Sequence, residues 1–370
     1  MTKHTGHDFD VRDGLAPSRL TIIMWDQAFL FRHIPGGSFE DYDKVLDEAV
    51  ERGYNTLRLD PMPSTVDLAD PDKVLEFTGA PPKYMPWGRN ADVRGPVGRW
   101  LIEFMDKVNK RGLHYTLSPW WGDTPMKTAE LWAKTLHQWQ RLFGFDGLVY
   151  LDLVNEFPCF MGGFGKMCEE KTGQGWKLLP EQLEFAAAEL NAALDHLRGE
   201  FPELRYTTSI HGDLRWLAAP LRFDCLDVHF YADADPRWTA RSKFYEFMKQ
   251  GVIFNSDTWF KEFSDRCTKT IRSVGPMLRA RQRYVLGRFA QWAADNAMPL
   301  TTSESWACWY YYDHPDLDWE WLKEWAAWSV DDAIDFKMWG WTPHNYCQPQ
   351  FENWKDAGWH RRLTEKFLSS

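Results

Sequence analysis

The order of apolar segments along the chain limits its fold more than any other feature of the sequence. Short apolar runs with the character of strands alternate with segments whose apolar residues recur at helical spacing. The eight strand-like runs are Leu20–Trp25, Tyr54–Pro61, Leu113–Pro119, Leu148–Glu156, Tyr206–His211, Cys225–Tyr231, Pro299–Glu304 and Ile334–Trp341. Repeated strand–helix units with continuous apolar strands indicate parallel strands buried on both faces. Eight such units predict an α/β fold of the (β/α)8 (TIM) barrel type.

The length of 370 residues is compatible with one large domain. Two or three domains would also fit this length, but α/β barrels commonly exceed 250 residues as single units. We therefore expect one catalytic domain over residues 1–370, with residues 233–297 forming an elaborated loop or helical insertion after the sixth strand. The alternative is an open doubly wound sheet, although no G-x-G-x-x-G motif follows a strand.

Composition excludes several classes of partner. The net charge of −10, without any dense Lys/Arg run, argues against nucleic acid. No apolar stretch approaches the roughly 18 residues of a membrane span. The six cysteines lack metal-type spacing, and the polar N-terminus lacks the apolar core of a signal peptide. We therefore expect a cytoplasmic location and no metal or other cofactor, while the sequence leaves the oligomeric state open.

In a barrel of this type the active site lies at the carboxyl ends of the strands. The chain also contains 22 tryptophans, and aromatic faces stack on the apolar faces of sugar rings. The candidate residues at or just beyond the strand ends are Arg58, Asp60, Trp120, Trp121, Asn155, Glu156, His211, His229, Tyr231, Glu304, Trp306, Trp339 and Trp341. The sequence thus predicts a polar, tryptophan-rich cleft suited to a carbohydrate.

Two strand-end glutamates form the most informative pair. Glu156 ends the fourth strand and Glu304 the seventh, and these strands face each other across the mouth of an eight-stranded barrel. Their carboxyl groups could approach to about 5–5.5 Å, the separation found in retaining glycosidases. One carboxylate then acts as the nucleophile and the other as the general acid/base.

The strand that ends in Glu156 also carries a buried charge. Strand alternation predicts that Asp152, Val154 and Glu156 share one face, with Asp152 in the barrel interior. A buried carboxylate needs a partner, and we predict that Arg58 supplies it. We expect Arg58 to lower the pKa of Glu304, and apolar neighbours such as Phe157 to raise the pKa of Glu156.

Three short motifs support this interpretation. The sequence VNEF ends the fourth strand, VHFY the sixth and SESW the seventh. In this order, over about residues 20–341, the motifs resemble the clan A retaining glycoside hydrolases, and especially the cellulase-like family 5 group. Two departures from the usual family sequence leave the exact family and the substrate open. The usual Asn-Glu-Pro is Asn-Glu-Phe-Pro here, and the third strand ends in Ser-Pro-Trp-Trp where the family often has a histidine.

The resemblance implies a role for each matching residue. Glu156 would be the acid/base and Glu304 the nucleophile. Further implied contacts are Asn155 with the sugar 2-hydroxyl, Tyr231 with the nucleophile and His229 beside it, Arg58 under the nucleophile, and Trp339 or Trp341 as the sugar platform. We also include Trp120, Trp121, His211 and Trp306 among the substrate-binding residues.

The predicted function is hydrolysis of β-linked glycosides or short oligosaccharides by double displacement, with exo action. An endo-acting β-glucanase or β-mannanase is an alternative. A second alternative is a metal-dependent barrel hydrolase that uses His211, His229, Asp60 and Glu304, although its usual first-strand His-x-His is missing. A third is a sugar-binding protein without catalytic activity.

Overall fold

The computed structural model describes residues 11–79, 92–249 and 258–370. The strands are β1 (Leu20–Asp26), β2 (Thr56–Leu59), β3 (Leu75–Phe77), β4 (Val93–Gly95), β5 (His114–Leu117), β6 (Leu148–Asp152), β7 (Tyr206–Thr207), β8 (Ile210–His211), β9 (Leu226–His229), β10 (Leu300–Thr301) and β11 (Gly340–Trp341). The helices are α1 (Ala28–Phe31), α2 (Tyr42–Glu51), α3 (Val97–Lys110), α4 (Pro125–Phe143), α5 (Phe164–Thr172), α6 (Pro180–Glu200), α7 (Pro236–Ser242), α8 (Phe244–Met248), α9 (Phe260–Asp295), α10 (Glu320–Asp335) and α11 (Ala357–Leu368).

The strands and helices form an α/β fold with a curled parallel sheet. Six strands are hydrogen-bonded in the order β11-β1-β2-β5-β6-β7, and three more in the order β10-β9-β8. Strands β7 and β8 follow each other directly along the chain. Strands β10 and β11 are linked by Trp339 N to Leu300 O at 2.7 Å and Thr302 N to Gly340 O at 3.2 Å. The strand neighbours therefore run in the circular order that the sequence predicts.

The segment between β9 and β10 is a helical insertion. After a short 3-10 helix at Ala232–Ala234 come α7, α8 and the 36-residue α9, and residues 250–257 lie outside the described residues. Gln282 on α9 donates to Phe230 O and to Trp306 O, both at 3.2 Å. This side chain fixes the long helix against the ends of two central strands. No helix in the described ranges combines the length and apolarity needed to cross a membrane.

Two connections carry secondary structure of their own. The glycine-rich stretch after the fourth strand contains α5, and β3 and β4 form an antiparallel hairpin between β2 and α3. The fourth strand itself ends at Asp152 rather than at Glu156. The predicted alternation of Asp152, Val154 and Glu156 on one face is therefore wrong, because the chain turns after Asp152.

Candidate active site

Glu156 and Glu304 lie close together at the carboxyl ends of the strands. Carboxylate oxygens of the two glutamates and a ring nitrogen of His229 lie within 4.8 Å of one another. Both glutamates line a cavity of about 780 Å³, together with Trp120, His211 and Tyr231. This volume is within the range of roughly 300–1,000 Å³ that small-molecule sites occupy. The structure thus brings together the pair of carboxylates that the sequence singled out.

Glu304 is surrounded by hydrogen-bond donors. Arg58 Nη1 donates to Oε2 at 3.0 Å, and the Tyr231 hydroxyl and Asn345 Nδ2, at 3.2 Å, donate to Oε1. Arg58 is fully buried and also pairs with Asp26 at 3.1 Å. A carboxylate that accepts from a permanent cation and two further donors is fixed in position and favoured in its ionised form.

Glu156 has a different set of partners. His211 Nε2 lies 2.9 Å and His229 Nδ1 3.0 Å from its Oε1. Among the described residues no hydrogen bond falls on Oε2, and this oxygen is therefore free for a ligand. Imidazole nitrogens can donate or accept, depending on their protonation. A protonated Glu156 can therefore donate to an imidazole nitrogen that has changed from donor to acceptor. A protonated Glu304 would still face Arg58, which can only donate.

The backbone at Glu156 has a positive φ of 48°. Such a conformation is uncommon for residues other than glycine and costs on the order of 1–3 kcal/mol. Glu156 N donates to Ser209 Oγ at 2.8 Å, and Phe157 N donates to Ser209 O at 2.9 Å. These two bonds to the end of the neighbouring strand hold the turn that presents the carboxyl group.

Asp152 connects the supports of both glutamates. Its carboxylate accepts from Ser118 Oγ and Ser209 Oγ, each at 2.7 Å. Ser118 Oγ accepts from Arg58 Nη2 at 3.2 Å, and Ser209 Oγ accepts from the backbone of Glu156. Burial, and then the charge of Asp227, raise the pKa of Asp152 to about 6. The predicted link between Asp152 and Arg58 therefore runs through a serine, and a second serine extends it to Glu156.

His229 is oriented by a second buried carboxylate. Ser303 Oγ donates to Asp227 at 2.6 Å and lies 3.4 Å from His229 Nε2. Because the serine hydrogen is directed at Asp227, Ser303 is an acceptor for His229 Nε2–H. A neutral His229 then faces Glu156 with the lone pair of Nδ1, which can accept a hydrogen bond from a protonated Glu156.

The charges around the two glutamates correct the expected pKa shifts. Burial raises the pKa of Glu156, but the charges and hydrogen bonds of His211 and His229 outweigh burial and lower it. Burial and the negative charge of Glu156 raise the pKa of Glu304, despite Arg58. Burial alone would lower the pKa of His211, but Glu156 outweighs it and raises that pKa to about 9. At neutral pH the proton of the site therefore resides mainly on His211.

Several other predicted residues lie at the cavity or beside it. Trp120 lines the cavity and donates through Nε1 to Asp26 at 2.7 Å. Trp121 is 56% exposed and packs edge-on against Phe160, a cavity residue, but is not itself part of the lining. Asn155 accepts from Arg58 through Oδ1, and its buried Nδ2 has no hydrogen-bond partner in the described structure. Asn155 is fully buried and is not among the residues that line the cavity, so its contact with a substrate hydroxyl stays a prediction.

Three tryptophans predicted to bind substrate do not face the cavity. Trp339 points to the opposite end of the sheet, where Nε1 donates to Pro17 O at 2.8 Å. Trp341 donates to Ser329 Oγ on α10 at 3.0 Å and packs against Phe367 on α11. The Trp306 ring stacks on Phe230. All three rings are buried, so we correct their assignment from sugar contacts to packing. Arg58 contacts Glu304, as the sequence predicts, and is fully buried, so we correct only its place among the candidate substrate-binding residues.

The predicted metal-binding set is also not formed. Asp60 is held by Gln27 and by the backbone of Met62 and Trp120, away from the two histidines. In the described residues the group with metal-like spacing is Glu156, His229 and Glu304. It contains both carboxylates of the predicted catalytic pair, and each of them already has protein hydrogen-bond partners.

Sequence reasoning missed residues that support the site. Asn345, four positions beyond β11, contacts both Glu304 and Tyr231, and Ser305 N donates to its Oδ1 at 2.9 Å. Asp26 ends β1 and pairs with Arg58. A search for polar residues up to four positions past each strand would have found both. Ser118, Ser209 and Ser303 carry no comparable sequence signal, because buried serines are common.

Comparison with known proteins identifies related chains. Residues 22–368 match the profile of a cellulase-like family, which is described as sugar-binding cellulase-like. No curated protein matches the chain. Among solved structures, a proposed glycoside hydrolase from Parabacteroides distasonis ATCC 8503 is 26% identical, with a TM-score of 0.80 over 95% of this chain and 94% of the other.

More distant structures share the fold. Thermotoga maritima Cel5A, solved with mannotriose, is 14% identical, with a TM-score of 0.53 over 94% of this chain and 97% of that one. The GH5_18 protein of Streptomyces cattleya, solved with GlcNAc, is also 14% identical, with a TM-score of 0.51 over 94% and 79%. At these identities the similarity concerns the fold alone.

Proposed function

Because the chain belongs to the sugar-binding cellulase-like family, we propose that it is a retaining glycoside hydrolase acting on β-linked glycosides or short oligosaccharides. The observation that carries the proposal is the placement of Glu156 and Glu304 in one cavity, with oxygens within 4.8 Å. Retaining enzymes separate their carboxyl groups by about 5–5.5 Å, whereas inverting enzymes need roughly 6.5–9.5 Å to admit a water. The short separation supports retention. We further propose that the circular strand order is a closed (β/α)8 barrel.

The hydrogen bonds support a division of labour between the glutamates. In the first step, a Glu304 oxygen bonds to the anomeric carbon as the glycosidic bond breaks, and Glu156 gives its proton to the leaving oxygen. In the second step, a water molecule gives a proton to Glu156. The oxygen of this water bonds to the anomeric carbon as the bond between that carbon and Glu304 breaks. Asn155 Nδ2 donates to a sugar hydroxyl.

The proton for the first step comes from the group around Glu156. At neutral pH His211 holds this proton, and its transfer to Glu156 requires only motion along the existing hydrogen bond of 2.9 Å. Arg58, Tyr231 and Asn345 donate to Glu304 and favour the ionised carboxylate that attacks, against the burial and the charge of Glu156 that raise its pKa. The role assignment thus rests on the hydrogen-bond pattern.

We propose exo action, since the insertion after β9 contributes α9 residues to one wall of the cavity. A screen of β-glycosides and oligosaccharides with analysis of the products tests this choice. Release of single sugars or short units from one chain end is expected. Random internal cleavage of a polymer would favour the endo-acting alternative.

The stereochemistry of the first product tests the mechanism. We expect proton NMR to show the β-anomer before mutarotation, and an initial α-anomer would contradict retention.

Glu304→Gln should abolish turnover of all glycosides. Glu156→Ala should retain turnover of substrates with good leaving groups, and azide should accelerate it and give a β-glycosyl azide. The same azide product from Glu304→Ala would reverse the two roles. Glu184→Gln, at an exposed position on α6, is the matched control.

A further inference from the structure

The cavity has one wall that the catalytic residues do not explain. Besides the glutamates, the lining includes residues of the insertion, chiefly from α9, and Tyr245 from α8. Two of these are large and exposed: Tyr245 is 55% and Tyr284 62% exposed. Exposed aromatic residues that border a concave site are unusual unless a ligand covers them.

The wall is held at a fixed distance from the catalytic centre. Gln282 bonds the carbonyl groups of Phe230 and Trp306, and its Oε1 accepts from Trp325 Nε1 at 2.6 Å. Arg281, next to it on α9, pairs with Asp235 at 3.3 Å. Tyr284 follows Arg281 by three residues and therefore lies on the same helix face. This anchoring provides the preorganisation that a binding position needs.

The wall lies on the Glu156 side of the site. The lining continues through Cys159 and Phe160, which follow Glu156, and through His211–Leu214, which begin at the last residue of β8. Burial, followed by the charges of Asp233 and Glu156, raises the pKa of Tyr245 to about 12, consistent with a ring near Glu156. The acid/base protonates the oxygen that joins the leaving group. A ring bound on this side is therefore part of the leaving group.

We propose that the insertion after β9 forms a binding position for the leaving-group sugar of a neutral β-linked oligosaccharide, with Tyr245 and Tyr284 as stacking surfaces. The apolar C–H face of a pyranose packs on an aromatic ring, while its hydroxyl groups remain available to water and polar neighbours. This inference rests on the proposed glycosidase function and specifies which part of the substrate the insertion recognises.

The test compares two substrates of the sugar that the wild-type protein hydrolyses best. The leaving group of the β-glycosyl fluoride is the fluoride ion, which contains no sugar ring. The leaving group of the β-linked trisaccharide contains a sugar ring. We expect Tyr245→Ala and Tyr284→Ala each to lower kcat/KM on the trisaccharide roughly threefold to tenfold, as for loss of an aromatic contact, and to leave the fluoride unchanged. Tyr245→Phe and Tyr284→Phe should retain wild-type values, because the ring makes the contact.

The control is Met277→Ala, since Met277 is 47% exposed on α9 but does not line the cavity. Equal losses on both substrates, or no loss on the trisaccharide, would overturn the inference while leaving the glycosidase function standing. A wild-type protein that hydrolyses neither substrate would refute the proposed function instead. In that case calorimetry with the trisaccharide decides: weaker binding to Tyr284→Ala supports the binding position, and unchanged or absent binding overturns it.

Discussion

His211 shows how one side chain changes the chemistry of its neighbour. Its imidazole is 49% exposed, and yet it lies 2.9 Å from Glu156. The strand-end position of His211 was predictable from the sequence, but its contact with Glu156 was not, because the turn after β6 is set by Ser209. For the same reason, sequence reasoning assigned the pKa shift of Glu156 to apolar neighbours.

We expect His211→Asn to move the alkaline limb of kcat/KM to lower pH. Glu156 raises the pKa of His211 from 6.5 to about 9, so the wild-type site keeps this proton up to about pH 9. Without the imidazole the proton must remain on Glu156 and His229, and it is lost sooner. The pH profile on a substrate with a poor leaving group measures the shift. His196→Asn, on the helix surface beside Glu200, is the control. Coincident profiles would show that His211 does not hold the proton.

The same shift predicts a change in stability with pH. The contribution of the His211–Glu156 contact is fully present below pH 6.5 and is lost as pH rises through about 9, because the folded-state pKa is the higher one. The melting temperature of the wild type should thus fall more over this interval than that of His211→Asn. Parallel melting curves at all pH values would contradict this linkage.

At the level of secondary-structure elements, the segments that follow the strands carry the two glutamates proposed for catalysis. The alternation of strands and helices could be predicted from the sequence, because apolar periodicity reflects burial directly. The ends of the strands could not be predicted, because a strand stops where side-chain hydrogen bonds replace the backbone hydrogen bonds between neighbouring strands. At the end of β6, Asp152 accepts from Val154 N and Ser209 N at 3.2 and 2.9 Å, and the chain turns there.

The two serines on Asp152 should have separable effects. Ser118→Ala removes a support of Arg58 and hence of Glu304, so we expect similar rate losses on good and poor leaving groups. Ser209→Ala loosens the turn at Glu156, so the loss should be larger for poor leaving groups, which need the acid. Each change should also cost about 1–3 kcal/mol in the free energy of unfolding, because it leaves a buried hydrogen-bond partner unsatisfied. Steady-state kinetics on both substrate types distinguishes the variants, and identical patterns would argue against separate supports.

Considered across the entire fold, one cation holds several buried acids together. The charges of Asp26, Glu304, Asp152 and Asp227 all raise the pKa of Arg58, which lies among strands contributed by distant parts of the chain. The sequence identified Arg58 and Asp152, because a charge in an apolar run is conspicuous. It could not identify the tryptophan positions, since Trp339 and Trp341 are adjacent to the site in sequence but point to other layers.

Arg58→Met should therefore change both stability and catalysis. Leaving buried carboxylates without their cation should cost about 3–5 kcal/mol in the free energy of unfolding, measured by urea titration. It should also raise the pKa of Glu304 and move the acidic limb of kcat/KM upward. Arg99→Met is the control, because its partner Asp72 is 68% exposed and surface pairs contribute little. An unchanged acidic limb in a folded Arg58→Met protein would show that this contact does not influence the nucleophile.

We propose that Glu304 forms a covalent bond to the sugar. Incubation with a 2-deoxy-2-fluoro glycoside that carries a good leaving group slows the second step and lets the glycosyl-enzyme accumulate. Mass spectrometry of the digested protein then locates the added sugar. We predict one sugar per chain on the peptide that contains Glu304, and none in Glu304→Gln. A sugar attached to Glu156, or turnover of natural substrate without any labelled peptide, would contradict the account.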